Sequence, residues 1–281
     1  MSASAPRILI GILLVLVAAY ILVLALTWRL QERIVWQPPR LAKHPAGAGA
    51  RRLEYVSEDG QPLFAYLVGD PARAPGTLIA FHGNADLAGW LVPWAAAVER
   101  HTGWAVLLPE YRGYGGLSGA PDYVSSQRDA RAAYRLARER LGADSARIAL
   151  FGHSLGSAIA AELAADRQPA VLILVAPFTS ARDMARAMLV LPVSSLWSVI
   201  GRVRFDTRLR VSHIDAPVWV AHGDRDRIIP VRMGRAVHAA ARRQGELLIV
   251  RGAGHNDVGE VEDEAYWDWL GRALRGVGRS G

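Results

Sequence analysis

Hydrophobic and polar positions follow three different rhythms along the 281 residues. Over 8–28 the chain reads ILIGILLVLVAAYILVLALTW, uncharged and apolar all round. About 20 such residues in a helix span a hydrocarbon core, and a segment with no polar face suits lipid. Arg7 bounds one end, while Trp28, Arg29 and Arg33 bound the other, where an aromatic ring and cations sit well at the membrane interface. A signal peptide has a shorter apolar core and a small-residue cleavage site, and none follows here. Residues 1–29 are therefore expected to form a retained single-pass membrane anchor. Arg29, Arg33, Arg40 and Lys43 after it would favour a cytoplasmic domain, but the side of the membrane stays open.

A stretch rich in Pro, Gly and Ala follows (QPPRLAKHPAGAGA, 37–50), which predicts a linker over 30–52. The second rhythm begins after it. Short apolar runs occupy 53–57 and 62–68 around the turn Glu58-Asp59-Gly60, a hairpin pattern, and then 77–81, 105–108, 147–151, 171–175, 218–221 and 247–250. Runs that are apolar throughout, rather than alternating, suit strands buried on both faces.

The third rhythm, helical spacing, fills the gaps between those runs, as over 127–140 and 158–165. Arg128, Arg131, Arg135 and Arg138 recur opposite Ala130, Ala133, Tyr134 and Ala137, which reads as a solvated helix face. Strands alternating with helices imply right-handed crossovers and a mainly parallel sheet. The expected fold is α/β: an antiparallel lead-in and a twisted sheet of about eight strands with helices on both faces, over 53–276.

Composition narrows this picture only slightly. Lys and Arg outnumber Asp and Glu by 33 to 26, yet no block of consecutive cations interleaved with aromatics marks a nucleic-acid surface. Cysteine is absent, which excludes disulfides, thiolate catalysis and Cys-based zinc sites.

The candidate chemistry starts at GHSLG, 152–156, directly behind an apolar run and ahead of a helical one. A G-x-S-x-G elbow lifts its serine hydroxyl above the sheet edge on a tight, strained turn, and small neighbours let that turn close. Ser154 is thus a candidate nucleophile, and the helix N-terminus behind it offers free N–H groups where an oxyanion would form. A serine hydroxyl needs a base, and the base needs an orienting acid. Of eight histidines, His255 lies in a glycine-rich loop after the last strand, in GAGHND, where the imidazole can return over the sheet edge. The acid should fall between them, after 218–221, where HGDRDRIIP offers Asp224 and Asp226. Spacing alone does not separate these two, and Asp183, Asp206 and Asp257 remain as further candidates. In AFHGNA, 80–85, a backbone N–H of Asn84 would complete an oxyanion hole with the N–H of Leu155.

Five stretches together carry a resemblance: FHGNA (81–85), PEYRGYGGLSG (109–119), GHSLG (152–156), APFTS (176–180) with HGDRDRIIP (222–230), and GAGHND (252–257). Spread over residues 53–275, they make the chain similar to the α/β-hydrolase superfamily, and within it to the membrane-anchored serine hydrolases, a group that includes lipid esterases and protein-depalmitoylating thioesterases. The resemblance selects Asp226 as the acid and implies ester or thioester hydrolysis without metal or organic cofactor. A serine aminopeptidase and an inactive scaffold on the same frame are the alternatives. Ser157 stands where relatives often carry a second glycine.

A short cap is expected over 179–214, because 184–200 (MARAMLVLPVSSLWSVI) is strongly apolar and broken by Pro192. Tyr114, Phe178, Met188 and Trp197 are the expected substrate contacts, with Leu189 and Leu191 beside them. The expected partners are a membrane bilayer and a small-molecule or lipid acyl substrate, with no nucleic acid.

Overall fold

The architecture is that of a computed structural model, described for residues 4–41, 47, 49–188, 201–261 and 263–277. Eight strands form one sheet: β1 (Arg51–Val56), β2 (Pro62–Val68), β3 (Thr77–Phe81), β4 (Ala105–Pro109), β5 (Ile148–His153), β6 (Val171–Val175), β7 (Val218–Gly223) and β8 (Gln244–Val250). Their spatial order is β1-β2-β4-β3-β5-β6-β7-β8. The pairs β1–β2 and β2–β4 are antiparallel and the rest are parallel, as the apolar runs predict.

Nine α-helices are described: α1 (Ser4–Val35), α2 (Val92–Thr102), α3 (Tyr123–Arg135), α4 (Leu155–Arg167), α5 (Ala181–Met188), α6 (Thr207–Val211), α7 (Val231–Ala240), α8 (Val258–Val261) and α9 (Asp263–Arg275). Side chains alternate across the central strands, so the sheet carries a core on each face. Ile79, Phe81, Leu150, Leu172 and Leu174 face a layer that includes α3, α4 and α7. Leu78, Ala80, Phe151, Ile173 and Val175 face α2 and α9, where Trp269 and Leu270 are fully buried. Every residue of β3 and β6 is buried, which is why their sequences carry no polar phase. Truncating one of these Ile or Leu side chains to Ala costs about 2–5 kcal/mol.

Local signals set the helix ends. The Asp122 carboxylate accepts from Ser125 N–H at 2.7 Å, and Asp122 N–H donates to Ser125 Oγ at 2.8 Å, a reciprocal cap that starts α3. The helix expected over 127–140 therefore begins earlier, and it ends in a π-helical turn over Leu136–Arg140. Its arginine face is engaged with the β1–β2 hairpin: Arg131 and Arg135 pair with Glu58, and Arg128 with Asp59.

One boundary differs from the sequence expectation. Helix α1 is long and apolar enough to cross a membrane, and its most apolar window is wholly unburied. It does not give way to a free linker at residue 30 but continues to Val35, and Trp36 behind it is only 4% exposed. Trp36 rings pack edge-on against Tyr111 and Phe205, so burial of this one large side chain extends the folded unit into the expected tether. Of the expected cap, α5 and residues 201–214 are described; Leu189, Leu191 and Trp197 lie outside the described residues.

Candidate active site

The parallel strands end together at one sheet edge: Phe81 is level with Gly152, and His153 with Val175. Loops leaving these ends therefore meet in space although they are far apart in the chain. At the end of β5 the backbone turns into α4 at Ser154, with φ 52° and ψ −117°. This conformation costs a non-glycine residue about 1–3 kcal/mol and persists only where the surroundings impose it. The Ser154 N–H donates to Val175 O at 3.0 Å, and its carbonyl accepts from the Ser157 N–H (3.0 Å) and Ser157 Oγ (2.5 Å). Ser157 thus has a function in the turn that its departure from the resembling sequences did not reveal.

The flanking glycines are required by space. A Cβ on Gly152 would lie 2.2 Å from Gly156 O, and one on Gly156 would lie 2.1 Å from Phe81 O. Without side chains at these two places, α4 can approach β3 and β5 closely enough to aim Ser154 outward.

His255 bridges two groups. Its Nε2 is 2.8 Å from Ser154 Oγ and its Nδ1 is 2.7 Å from Asp226 Oδ2. Because the carboxylate only accepts, Nδ1–H donates to it, leaving Nε2 to accept from the serine hydroxyl. Asp226 Oδ1 accepts from the backbone N–H groups of Ile228 and Ile229, both at 2.8 Å. Burial alone would push the Asp226 carboxyl up, but hydrogen bonds from His222, His255 and Ile229 hold it well below the usual carboxylate range.

The other carboxylates have different work. Asp224 is exposed and accepts from Gly252 N–H, tying the loop after β7 to the loop after β8. Asp257 accepts from Gly254 N–H within the His255 loop, Asp183 accepts from Thr179 Oγ1, and Asp206 caps α6 at Leu209 N–H. A shift of two residues along the loop after β7 thus separates the carboxylate that meets His255 from a loop brace.

Two further histidines, both at strand ends, touch this network. His222, fully buried at the end of β7, shares its Nε2–H between Ile229 O (2.8 Å) and Asp226 Oδ2 (3.2 Å). His153 donates through Nε2 to His255 O at 3.0 Å, and burial with the neighbouring His255 holds its pKa down to about 4, so it stays neutral. Both stand in stretches singled out from sequence, His222 in HGDRDRIIP and His153 in GHSLG beside Ser154, but neither stretch shows which groups the rings meet.

Asn84 follows β3 in a loop pinned by a buried pair. Both ring nitrogens of His82 face acceptors, Gly83 O and Glu110 Oε1, each at 2.8 Å, so the imidazole carries both protons. Burial opposes that charge, but the Glu110 carboxylate outweighs it and raises the His82 pKa. Glu110 also accepts from the N–H groups of Ala88 and Tyr111.

Ser154, His255, Asn84 and Leu155 line one cavity of about 1100 Å³, whose walls include Trp94, Phe151, Val175 and Phe178. Ile34, Trp90, Met188 and Ile228 line it and are also 45%, 46%, 68% and 54% exposed, which places them at its mouth. Among the described residues no cluster of three His, Cys, Asp or Glu side chains could hold a metal ion.

Residues 72–206 match the family described as Serine aminopeptidase, S33. An uncharacterised protein of Mycobacterium tuberculosis is 31% identical over 259 residues, 90% of each chain. The human Alpha/beta hydrolase domain-containing protein 17B is 29% identical, over 88% of this chain and 80% of that protein. The chain belongs to the α/β-hydrolase superfamily. Among solved structures, a Pyrococcus furiosus esterase superposes with TM-score 0.68 at 18% identity, covering 86% of this chain and 97% of its own. A membrane phospholipase A superposes with TM-score 0.62, also at 18% identity, over 98% and 100% of the two chains. These likenesses carry the fold, and family membership makes the protein a hydrolase.

Within this α/β-hydrolase frame the expected substrate contacts divide. Phe178 and Met188 line the cavity, and Trp197 lies outside the described residues. Tyr114 does not line it. The ring is 1% exposed and its hydroxyl donates to Asn84 Oδ1 at 2.7 Å, so the tyrosine backs the loop instead of facing substrate. Burial raises its pKa well beyond the usual phenol range, keeping that donor proton in place.

Proposed function

We propose that this protein is a membrane-anchored serine hydrolase that cleaves carboxylic ester or thioester bonds of medium- or long-chain acyl substrates. The observation that carries the reading is the imidazole of His255, hydrogen-bonded at once to Ser154 Oγ and Asp226 on the floor of an apolar cavity. In this reading Ser154 Oγ attacks the acyl carbonyl while His255 Nε2 takes its proton, and the imidazolium then protonates the leaving alcohol or thiol. Asp226 holds the tautomer and stabilises the imidazolium, and its own carboxylate remains ionised. The backbone N–H groups of Asn84 and Leu155 face the developing oxyanion, and each such donor is worth about 10²–10³-fold in rate. Water then repeats the cycle on the acyl-enzyme.

The length of the apolar lining and an anchor helix ending beside it support a lipid-like acyl group over a peptide. An aminopeptidase would need a fixed anion for the substrate amino group. Asp86 is the one acidic side chain among the described lining residues, and its Oδ1 already accepts from the Leu87 backbone N–H.

Labelling of the full chain by a fluorophosphonate, present in wild type and lost in Ser154→Ala, is the expected result; labelling that survives the substitution means the nucleophile lies elsewhere. On a series of p-nitrophenyl esters, kcat/KM should rise from acetyl to octanoyl or beyond. A steady decline with chain length would remove the acyl preference.

A further inference from the structure

The end of the anchor helix enters the site. Ile34, Val35 and Gln37 line the same cavity as Ser154. The Gln37 backbone N–H donates to Asn84 Oδ1 at 2.9 Å, and the Tyr114 hydroxyl donates to the same oxygen at 2.7 Å. Between the helix and that contact, Trp36 is buried against Tyr111, whose hydroxyl in turn donates to the carbonyl of His82, two residues before Asn84. Upstream, the helix is fastened to the chain beyond α5. Arg202 pairs with Glu32 at 3.0 Å, its guanidinium lies 4.8 Å from the Trp28 ring centre, and its N–H donates to Gln31 Oε1.

We infer that the segment Trp36-Gln37, carried by the last turns of α1, is a positioning strap for the loop that presents the Asn84 N–H, so the anchor helix is a working part of the site as well as a tether. This rests on the reading of Asn84 as an oxyanion donor given under Proposed function. The physical reason is geometric. A backbone donor acts only when it points at the place where negative charge develops, and about 1 Å of displacement costs of the order of 10²-fold in rate. The Asn84 backbone follows a glycine and precedes Ala85, whose positive φ of 54° is a strained conformation that persists only where the surroundings impose it, so the direction of the Asn84 N–H depends on contacts from outside the loop. Its side-chain oxygen is fixed from outside, by one donor from the strap and one from Tyr114. Trp36 and Gln37 act through Asn84 and touch no reacting atom.

The test uses the full chain in detergent micelles with p-nitrophenyl acetate, a substrate too short to need the apolar cavity. Gln37→Pro removes the one N–H. Trp36→Ala and the milder Trp36→Leu remove the ring contact with Tyr111, and Trp36→Phe keeps an aromatic ring there. Expected are a fall in kcat of about tenfold for Gln37→Pro and Trp36→Leu, with KM within about twofold of wild type and a parallel fall in the rate of fluorophosphonate inactivation. Trp36→Phe should restore most of the rate. A loss of stability alone would lower the thermal midpoint but leave kcat per folded, labelled molecule unchanged. If Trp36→Ala does not fold, Trp36→Leu and Gln37→Pro decide. Wild-type labelling at Ser154 together with kcat within twofold in both variants overturns the strap and leaves the hydrolase reading standing. No labelling of wild type at Ser154 overturns that reading, and the strap with it.

Discussion

Ser154 and Asn84 face the same cavity from the ends of neighbouring strands, yet they are held by different kinds of structure. Ser154 is fixed through its backbone: its N–H donates to Val175 O, its carbonyl accepts from Ser157 N–H and Oγ, and two glycines allow α4 to close on β3. Asn84 is fixed through side chains, its own Oδ1 and the ring of His82, by distant segments: Glu110 at His82, and the Tyr114 hydroxyl and the Gln37 backbone N–H at Oδ1. Backbone fixation is local and cooperative with the sheet. Side-chain fixation depends on each partner separately, so the two halves of the site should respond differently to substitution.

The largest contrast is expected at Asp226, the carboxylate bonded to His255. Asp226→Asn leaves the loop's shape nearly intact but no longer fixes the tautomer of His255, and kcat should fall about 10⁴-fold. Steady-state kinetics on a short ester would check this, and a loss under tenfold would remove Asp226 from the role. Its depressed pKa also contributes stability that is present above the unfolded value of 3.8 and lost as pH falls below it. The variant should therefore be less stable than wild type at pH 7 and converge with it in acid.

Glu110→Gln tests the other half. It removes one partner of a buried, fully hydrogen-bonded pair, and chemical denaturation should show a loss of about 3–5 kcal/mol. Because the His82 pKa is raised on folding, this contribution is complete below the unfolded value of 6.5 and declines as pH rises through the folded value. A stability difference that grows from pH 6 to pH 9 would contradict the charged pair.

The smallest effect belongs to the hairpin, far from the cavity. Glu58 accepts from Arg131 and Arg135, and these bonds, led by the one from Arg131, hold its pKa at about 2. The side chains are partly exposed, so water screens the pairs and Glu58→Gln should cost less than about 1 kcal/mol. That difference is present above the ordinary value of 4.5 and fades as pH falls towards 2, which thermal midpoints at several pH values would resolve. A Glu58 effect as large as that of Glu110 would mean that burial does not separate the two regions.

Much of the fold was legible because burial on both faces leaves an unmistakable mark. The runs at 77–81 and 171–175 coincide with strands that have no exposed position. The elbow was legible for a related reason, since only glycine fits at 152 and 156, where helix and strand backbones nearly touch. Asp226 could not be separated from Asp224 by spacing, because the choice lies in which carboxylate the loop after β7 turns inward. Tyr114 was misread as a substrate contact: its aromatic character showed in sequence, while the direction of its hydroxyl did not. The strap was hidden altogether. A Pro- and Gly-rich stretch reads as linker, and a single buried Trp36 at its start gives no periodic signal.

The sequence by itself determined the order of strands and helices, the long apolar N-terminal helix and the identity of the elbow, since these depend on local periodicity and on space for a Cβ. Tertiary structure alone decided which aspartate meets His255, how His82 keeps both protons, and that the end of the apolar helix reaches Asn84. Those contacts join residues 28 to 47 positions apart, and each depends on a side-chain direction that only the packed sheet edge and its loops can fix.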